Sequence, residues 1–176
     1  MNPSNLEVRV LHDEAAIARR VGELAREIQT EMPGDLVVVA LLKGAFIFVA
    51  DLVRALSRLG VEPGVDFMQV SSYGSGKESR GAVRLVGEVP RVAGRRVLLV
   101  DDIQDTGRSL VYARGLLAAE GALDIRTCVL ADKPSRREVG SSADFIGFEV
   151  EDVFLVGYGI DYAERFRQLP FIGTID

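Results

Sequence analysis

Asp101, Asp102 and Asp105 stand within five residues of one another, directly after the aliphatic run Val97–Val100. Three carboxylates this close raise one another's pKa unless hydroxyls, a cation or backbone amides compensate. A solvated turn with one helix-capping aspartate would use a single member of the set. The residues that follow, Thr106-Gly107-Arg108-Ser109, open a helical pattern. Free backbone N–H groups and the macrodipole at a helix start favour an anion, and small hydroxyl side chains let a phosphate come close. One loop therefore offers acceptors for hydroxyl groups and then donors for a phosphate. A ribose 5-phosphate presents those two ends, which leaves Asp105 to face the reacting centre.

Elements with enough buried surface must hold this loop in place. After Asp13, a predicted N-cap, Ile17, Val21, Leu24 and Ile28 recur at helical spacing. The run LVVVALL (36–42) is too apolar for a half-exposed strand and predicts a parallel strand covered on both faces. Residues 45–59 predict a helix with Phe46, Val49, Val53 and Leu56 on its stripe and Gly60 as its stop. Strands are predicted at 65–71, 97–100, 126–131 and 153–156, with a polar, glycine-rich loop at 72–81. A helix carrying Leu110, Ala113, Leu117 and Ala118, stopped by Gly121, lies between two of these strands and completes a right-handed βαβ unit. The expected fold class is α/β, a doubly wound and mainly parallel twisted sheet flanked by helices. Such sheets bind ligands beyond the carboxyl ends of their strands, where the aspartates stand.

Composition narrows the classes. A chain of 176 residues with 48% hydrophobic content predicts one domain over 1–176. The longest apolar runs fall far short of the roughly 18 residues a membrane helix needs, so no membrane partner is expected. The stretch MNPSNLEVRV has no apolar segment of the signal-peptide kind, and the lone Cys128 has no intramolecular disulfide partner, which points to a reducing cytoplasm. With 26 acidic and 21 basic residues the net charge is -5, so no nucleic-acid partner is expected beyond what a local basic patch could hold. His12, the sole histidine, reads as a surface residue.

Other motif readings fail on spacing. The DDxxD pattern of isoprenoid synthases lies inside a long helix, whereas here Gly107 follows a parallel strand. GSGKES (74–79) has Ser71 where a P-loop requires its first glycine. GYGID (157–161) lacks the third glycine of a dinucleotide fingerprint, and a phosphotransfer receiver would carry its acidic pair near the chain start.

The segment VLLVDDIQDTGRSL (97–110) resembles the phosphoribosyl pyrophosphate signature of type I phosphoribosyltransferases. LLKGAF (41–46), VSSYGS (70–75) and VFLVGYGIDYAERFRQLPFIG (153–173), with Lys133 upstream, narrow the resemblance to the hypoxanthine-guanine phosphoribosyltransferases. It covers nearly the whole chain from Val39 onward and implies that family's fold, with a small hood region and a flexible lid loop. It also implies transfer of 5-phosphoribose from phosphoribosyl pyrophosphate to N9 of a 6-oxopurine, giving a nucleoside monophosphate and pyrophosphate in purine salvage.

The resemblance assigns residues as well. Asp101 and Asp102 contact the ribose hydroxyls, Asp101 standing where the family more often carries Glu. Asp105 is the general acid/base, and Asp105, Thr106, Gly107, Arg108 and Ser109 hold the 5-phosphate. Leu42, Lys43 and Gly44 form a pyrophosphate loop with a non-proline cis peptide between Leu42 and Lys43, and Arg167 binds pyrophosphate as well. Ser72 and Tyr73 belong to a lid that shields an oxocarbenium-like transition state from water. Lys133 donates to the purine 6-oxygen, Phe154 stacks on the base, Leu155 contacts it through its backbone, and Asp161 lies beside it. Magnesium is the implied cofactor, with Asp101 and Asp102 at the ion beside the ribose hydroxyls and Asp161 holding a second magnesium against pyrophosphate, and a homodimer or homotetramer is the implied assembly.

Read without the family, several of these residues have plainer roles. Lys43 is a surface lysine ending a strand, Phe154 a core strand residue, Asp161 a turn residue and Arg167 an exposed helix charge. Arg136 and Arg137 read as solvated charges under either view. Gln104 replaces a usual aliphatic. Two rival classes share parts of the pattern: RNA-binding pyrimidine attenuation proteins, against which VGYGIDYAERFR and the acidic balance count, and phosphoribosyltransferases for xanthine or adenine.

Overall fold

The computed structural model of the chain describes residues 7–73 and 82–175. In chain order its elements are β1 (Arg9–His12), α1 (Glu14–Glu31), β2 (Leu36–Leu42), α2 (Phe46–Arg58), β3 (Gly64–Tyr73), β4 (Ala82–Val86), β5 (Arg96–Gln104), α3 (Arg108–Ala119), β6 (Asp124–Asp132), β7 (Phe145–Glu149), β8 (Phe154–Val156) and β9 (Ile172–Ile175). A 3-10 turn occupies Pro134–Arg136.

The main sheet runs β4-β3-β2-β5-β6-β7. β2 lies parallel between β3 and β5 and is buried in all but its last residue, as its unbroken apolar run predicts. Alternation along β5 sends Leu98 and Val100 to the layer under α1 and α2, and Val97 and Leu99 to the layer under α3. The expected α/β architecture is thus realised, with helices on both faces. β4 joins β3 antiparallel at one edge, and β7 extends β6 at the other.

Asp13 caps α1 by accepting from the Ala16 N–H at 2.8 Å, and Ile17, Val21, Leu24 and Ile28 form the buried stripe. α2 is turned relative to expectation, and α3 keeps all of its expected stripe but one residue. On α2 the buried face is Phe48, Val49, Leu52, Ala55 and Leu56, while Phe46 is exposed. Residues 48, 52 and 55 with 49 and 56 satisfy helical spacing better, and Phe46 sits at the helix's first turn, beyond the sheet's cover. On α3 the inward residues are Leu110, Ala113 and Leu117, and Ala118 faces out.

The predicted strand at 153–156 does not join the main sheet. β8 pairs antiparallel with β9, which pairs antiparallel with β1, so that residues from both ends of the chain build a second sheet of order β1-β9-β8. Residues 157–171 are not helical. Tyr158, Ala163, Glu164 and Phe166 all take positive φ, and Gly157–Ile160 and Tyr162–Arg165 form isolated bridges. His12 is part-buried, its ring stacked on Phe148 at 3.9 Å between centroids, and burial lowers its pKa against the opposing effect of Asp13. Among the described residues no helix is long and apolar enough to cross a membrane.

Candidate active site

β5 carries the chain out of the core at Val100 and delivers Asp101 and Asp102 to the sheet's carboxyl edge. The loop after β2 and the turns after β8 reach the same place. A Cβ on Gly44 would overlap the Asp102 carboxylate, and one on Gly159 would overlap the Gly44 carbonyl. Three segments far apart in sequence therefore meet here, Gly159 backbone to backbone with Gly44 and Gly44 against the Asp102 side chain, and glycine leaves room for both contacts. The Leu42-Lys43 peptide is cis, as the resemblance implies.

The meeting point opens into a cavity of about 450 Å³ lined by Leu42, Lys43, Gly44, Asp101, Asp102, Ser109, Asp161 and Arg167, among others. Beside it lies a small cup of about 70 Å³, which Asp105, Thr106, Gly107 and Ser109 help to line and which shares Asp101 and Ser109 with the larger cavity. A third space, about 470 Å³ between α1 and α2 near Tyr158, contains none of the predicted site residues.

Burial and the neighbouring Asp102 charge hold the Asp101 carboxyl well above the usual carboxylate range. Burial also raises Asp102, while hydrogen bonds to Asp101 and the Ile103 N–H, and the Arg167 charge, oppose the rise. The pair is thus poised to accept hydrogen bonds from hydroxyl groups or to gain from an incoming cation. Arg167 is the cationic wall. Its Nη1 donates to the Gly159 carbonyl at 2.8 Å and its Nη2 pairs with Asp161 Oδ1 at 2.7 Å, while its Nε is buried without a hydrogen-bond partner. That unsatisfied donor and the turn geometry correct the plain reading of Arg167 as an exposed helix charge. Lys43 reaches Glu164 at 3.3 Å on the same turn segment.

Among the described residues, no three acidic, histidine or cysteine side chains converge to hold a metal ion unaided. Asp161 is engaged by Arg167 and by the Glu164 N–H at 2.8 Å, apart from the Asp101 and Asp102 pair, as a separate ion site would have it. An acidic pair with open space beside it suits a small divalent ion whose remaining ligands come from substrate oxygens and water.

Lys133, at the end of β6, is buried, and its Nζ donates to the Val153 carbonyl at 2.7 Å. Phe154 is 50% exposed with Tyr162 edge-on at 5.3 Å, which is a ring presented to solvent and not a core residue. Leu155 points into the core, leaving its backbone on the strand. None of these three is among the residues that line the cavity. The Arg108 guanidinium pairs with Glu138 at 2.6 Å, turned toward the 137–143 segment. Ser72 and Tyr73 end β3, paired with Val83 and Ala82. The GSGKES stretch (74–79) lies outside the described residues.

The reading as a solvated charge holds for Arg136, which is exposed though ion-paired, and is overturned for Arg137. Arg136 Nε pairs with Asp105 Oδ1 at 3.2 Å and its Nη1 lies 3.7 Å from Asp152. Arg137 is part-buried, pairs with the buried Asp132, and donates to the Asp105 carbonyl at 2.6 Å and the Gln104 carbonyl at 3.1 Å. The readable signal was Asp132 itself, an acid that ends an apolar strand five residues before an arginine. Gln104 is buried too, its amide engaging Ser141 and Ala143.

The comparisons with known proteins agree with this geometry. The model of the phosphoribosyl transferase domain matches residues 7–163. The hypoxanthine-guanine phosphoribosyltransferase of Aquifex aeolicus is 47% identical, over 97% of this chain and 96% of its own. The hypoxanthine phosphoribosyltransferase of Escherichia coli is 44% identical, over 96% and 95%. A crystal structure of a hypoxanthine-guanine phosphoribosyltransferase from Bacillus anthracis superposes with a TM-score of 0.89 at 37% identity, over 97% of this chain and 100% of that one. With signature, sheet order and site in agreement, the chain belongs to the type I phosphoribosyltransferase family, in its hypoxanthine-guanine group.

Proposed function

We propose that the protein transfers 5-phosphoribose from phosphoribosyl pyrophosphate to N9 of hypoxanthine or guanine, releasing pyrophosphate and forming IMP or GMP in purine salvage. The observation that carries this reading is the convergence of an acidic pair, an arginine with an unspent donor and a small cup at a helix start around one cavity. Asp101 and Asp102 accept from the ribose hydroxyls. The N–H groups of the 105–109 loop and the Ser109 hydroxyl hold the 5-phosphate. Arg167, with the backbone of Leu42, Lys43 and Gly44, binds the pyrophosphate. Asp101 and Asp102 would hold one magnesium and Asp161 a second, which would supply positive charge against the leaving pyrophosphate.

Lys133 sets the base preference. Its ammonium has three donors, one of which is spent on Val153, so the others meet a 6-oxo group productively. A 6-amino group would oppose donor to donor, which rejects adenine. Phe154 stacks on the base, Leu155 offers its backbone to the base edge, and Asp105 takes the proton that N7 sheds as N9 bonds to C1 of the ribose. Arg136 engages only one Asp105 oxygen, Oδ1. Ser72 and Tyr73 serve as lid residues over the reaction. We further propose one domain over 1–176, a cytoplasmic site of action and a homodimer or homotetramer, with neither nucleic acid nor membrane as partner.

The test is pyrophosphate release from phosphoribosyl pyrophosphate with magnesium, supplying hypoxanthine, guanine, xanthine, adenine and uracil singly. Turnover with the first two supports the reading and ranks the bases. Turnover with none, alongside tight nucleotide binding, moves the chain to the regulator class.

A further inference from the structure

The loop that rises from β5 is held from behind by hydrogen bonds to successive carbonyls. The Gln104 carbonyl accepts from the Lys133 N–H at 3.0 Å and from Arg137 Nη1 at 3.1 Å. The Asp105 carbonyl accepts from Arg137 Nη1 at 2.6 Å, and the Thr106 carbonyl from the Glu138 and Val139 N–H groups at 3.1 and 3.3 Å. These peptides are trans, and in a trans peptide the N–H points opposite to the C=O. Fixing the carbonyls of Gln104, Asp105 and Thr106 toward 137–139 therefore turns the N–H groups of Asp105, Thr106 and Gly107 the other way. The cup lies among these same residues.

The holding segment is itself anchored. Gln104 Oε1 accepts from the Ala143 N–H at 3.0 Å, and its Nε2 lies 3.3 Å from Ser141 Oγ and 3.4 Å from the Ser141 carbonyl. Arg137 is tied to the buried Asp132. Gly107, at φ 83°, packs against the segment so closely that a Cβ there would come within 2.9 Å of Ser141 Oγ and Val139 Cγ2.

We infer that Gln104 and Arg137 are positioning residues that set the N–H groups of the 105–107 loop for the 5-phosphate through the 137–143 segment. This rests on the phosphoribosyltransferase reading above. A buried glutamine that serves only packing would be replaceable by leucine at little functional cost. A glutamine that holds the template would, when lost, weaken the phosphate end of the site and spare the purine end.

The experiment is steady-state kinetics of Gln104→Leu, Ser141→Ala and Arg137→Lys with each substrate varied in turn, alongside melting temperatures. Lysine keeps the charge facing Asp132 but loses the planar fork that spans two carbonyls. Gln104→Leu and Arg137→Lys are expected to raise the KM for phosphoribosyl pyrophosphate about tenfold, the scale of one or two lost hydrogen bonds, with the hypoxanthine KM and kcat within about twofold. Ser141→Ala is expected to move the same constant by less, and it serves if Gln104→Leu does not fold. Equal rises in both KM values, or a lower melting temperature with neither KM changed, would overturn the inference. If the wild-type chain shows no turnover, the functional reading fails separately. Calorimetric binding of ribose 5-phosphate then decides: weaker binding by the variants supports the positioning role, and unchanged binding removes it.

Discussion

The aspartates of the site differ in what surrounds them, and so in what their loss should do. Asp105 lies at the surface of the cup with Arg136 on one oxygen. Its proposed role is proton transfer, so Asp105→Asn is expected to lower kcat by about 10² to 10⁴ and to shift the KM for phosphoribosyl pyrophosphate far less. Equal losses in both constants would remove that role. Asp101 is different because its folded-state pKa is raised by burial and by Asp102. The folded chain thus binds this proton more tightly than the unfolded chain does. The associated stability is complete below the unfolded value and is lost as pH climbs through the raised one. In metal-free buffer Asp101→Asn is therefore expected to melt higher than wild type at about pH 8, with the gap closing toward about pH 4. Thermal melts across pH would show it, and an unchanged gap would mean that the carboxyl is not strained by its surroundings. Activity should fall in the same variant, a trade between stability and function at one residue.

At the scale of elements, the close approach of three loops is the feature most open to test. Gly44→Ala must displace either Asp102 or the loop itself. Turnover is expected to fall by about 10²-fold or more, since a misplacement near 1 Å costs that much, while helix and sheet content by circular dichroism stay the same. Wild-type activity in Gly44→Ala would show that the contact is slack.

This scale also shows what the sequence could and could not reveal. β2 and β5 were legible because strands covered on both faces must be apolar throughout. β4, β7 and β9 were not, being short and carrying no turn signal strong enough to mark them. The faces of α2 and α3 were misjudged where an apolar residue, Phe46 or Ala118, sits at a helical period without cover. The 101–109 loop was readable because its charges have no packing explanation. Arg136, Arg137 and Gln104 were not, because their partners lie 5 to 39 residues away and only the fold brings them together.

On the whole-molecule scale, the proposed function has the main sheet supply the ribose and phosphate ends of the site and the small sheet part of the purine end. β8, which carries Phe154 and Leu155, pairs with β9 and through it reaches β1. Removing residues 172–176 is therefore expected to raise the purine KM well before it raises that for phosphoribosyl pyrophosphate. The comparison of the two constants in the truncated chain checks it, and a parallel rise would mean that the sheets fold as one unit.

The pairing of β1 with β9 also has a temporal side. Chains fold as they are synthesised, from the N-terminal end first. β1 emerges early but its partner is made after every other strand of the fold, so β1 waits through the making of the main sheet. A nascent chain halted before Ile172 could already cradle a sugar phosphate while still lacking the neighbour that steadies the strand bearing Phe154. On the proposed function and this order of events, recognition of the base matures after the grip on the sugar phosphate.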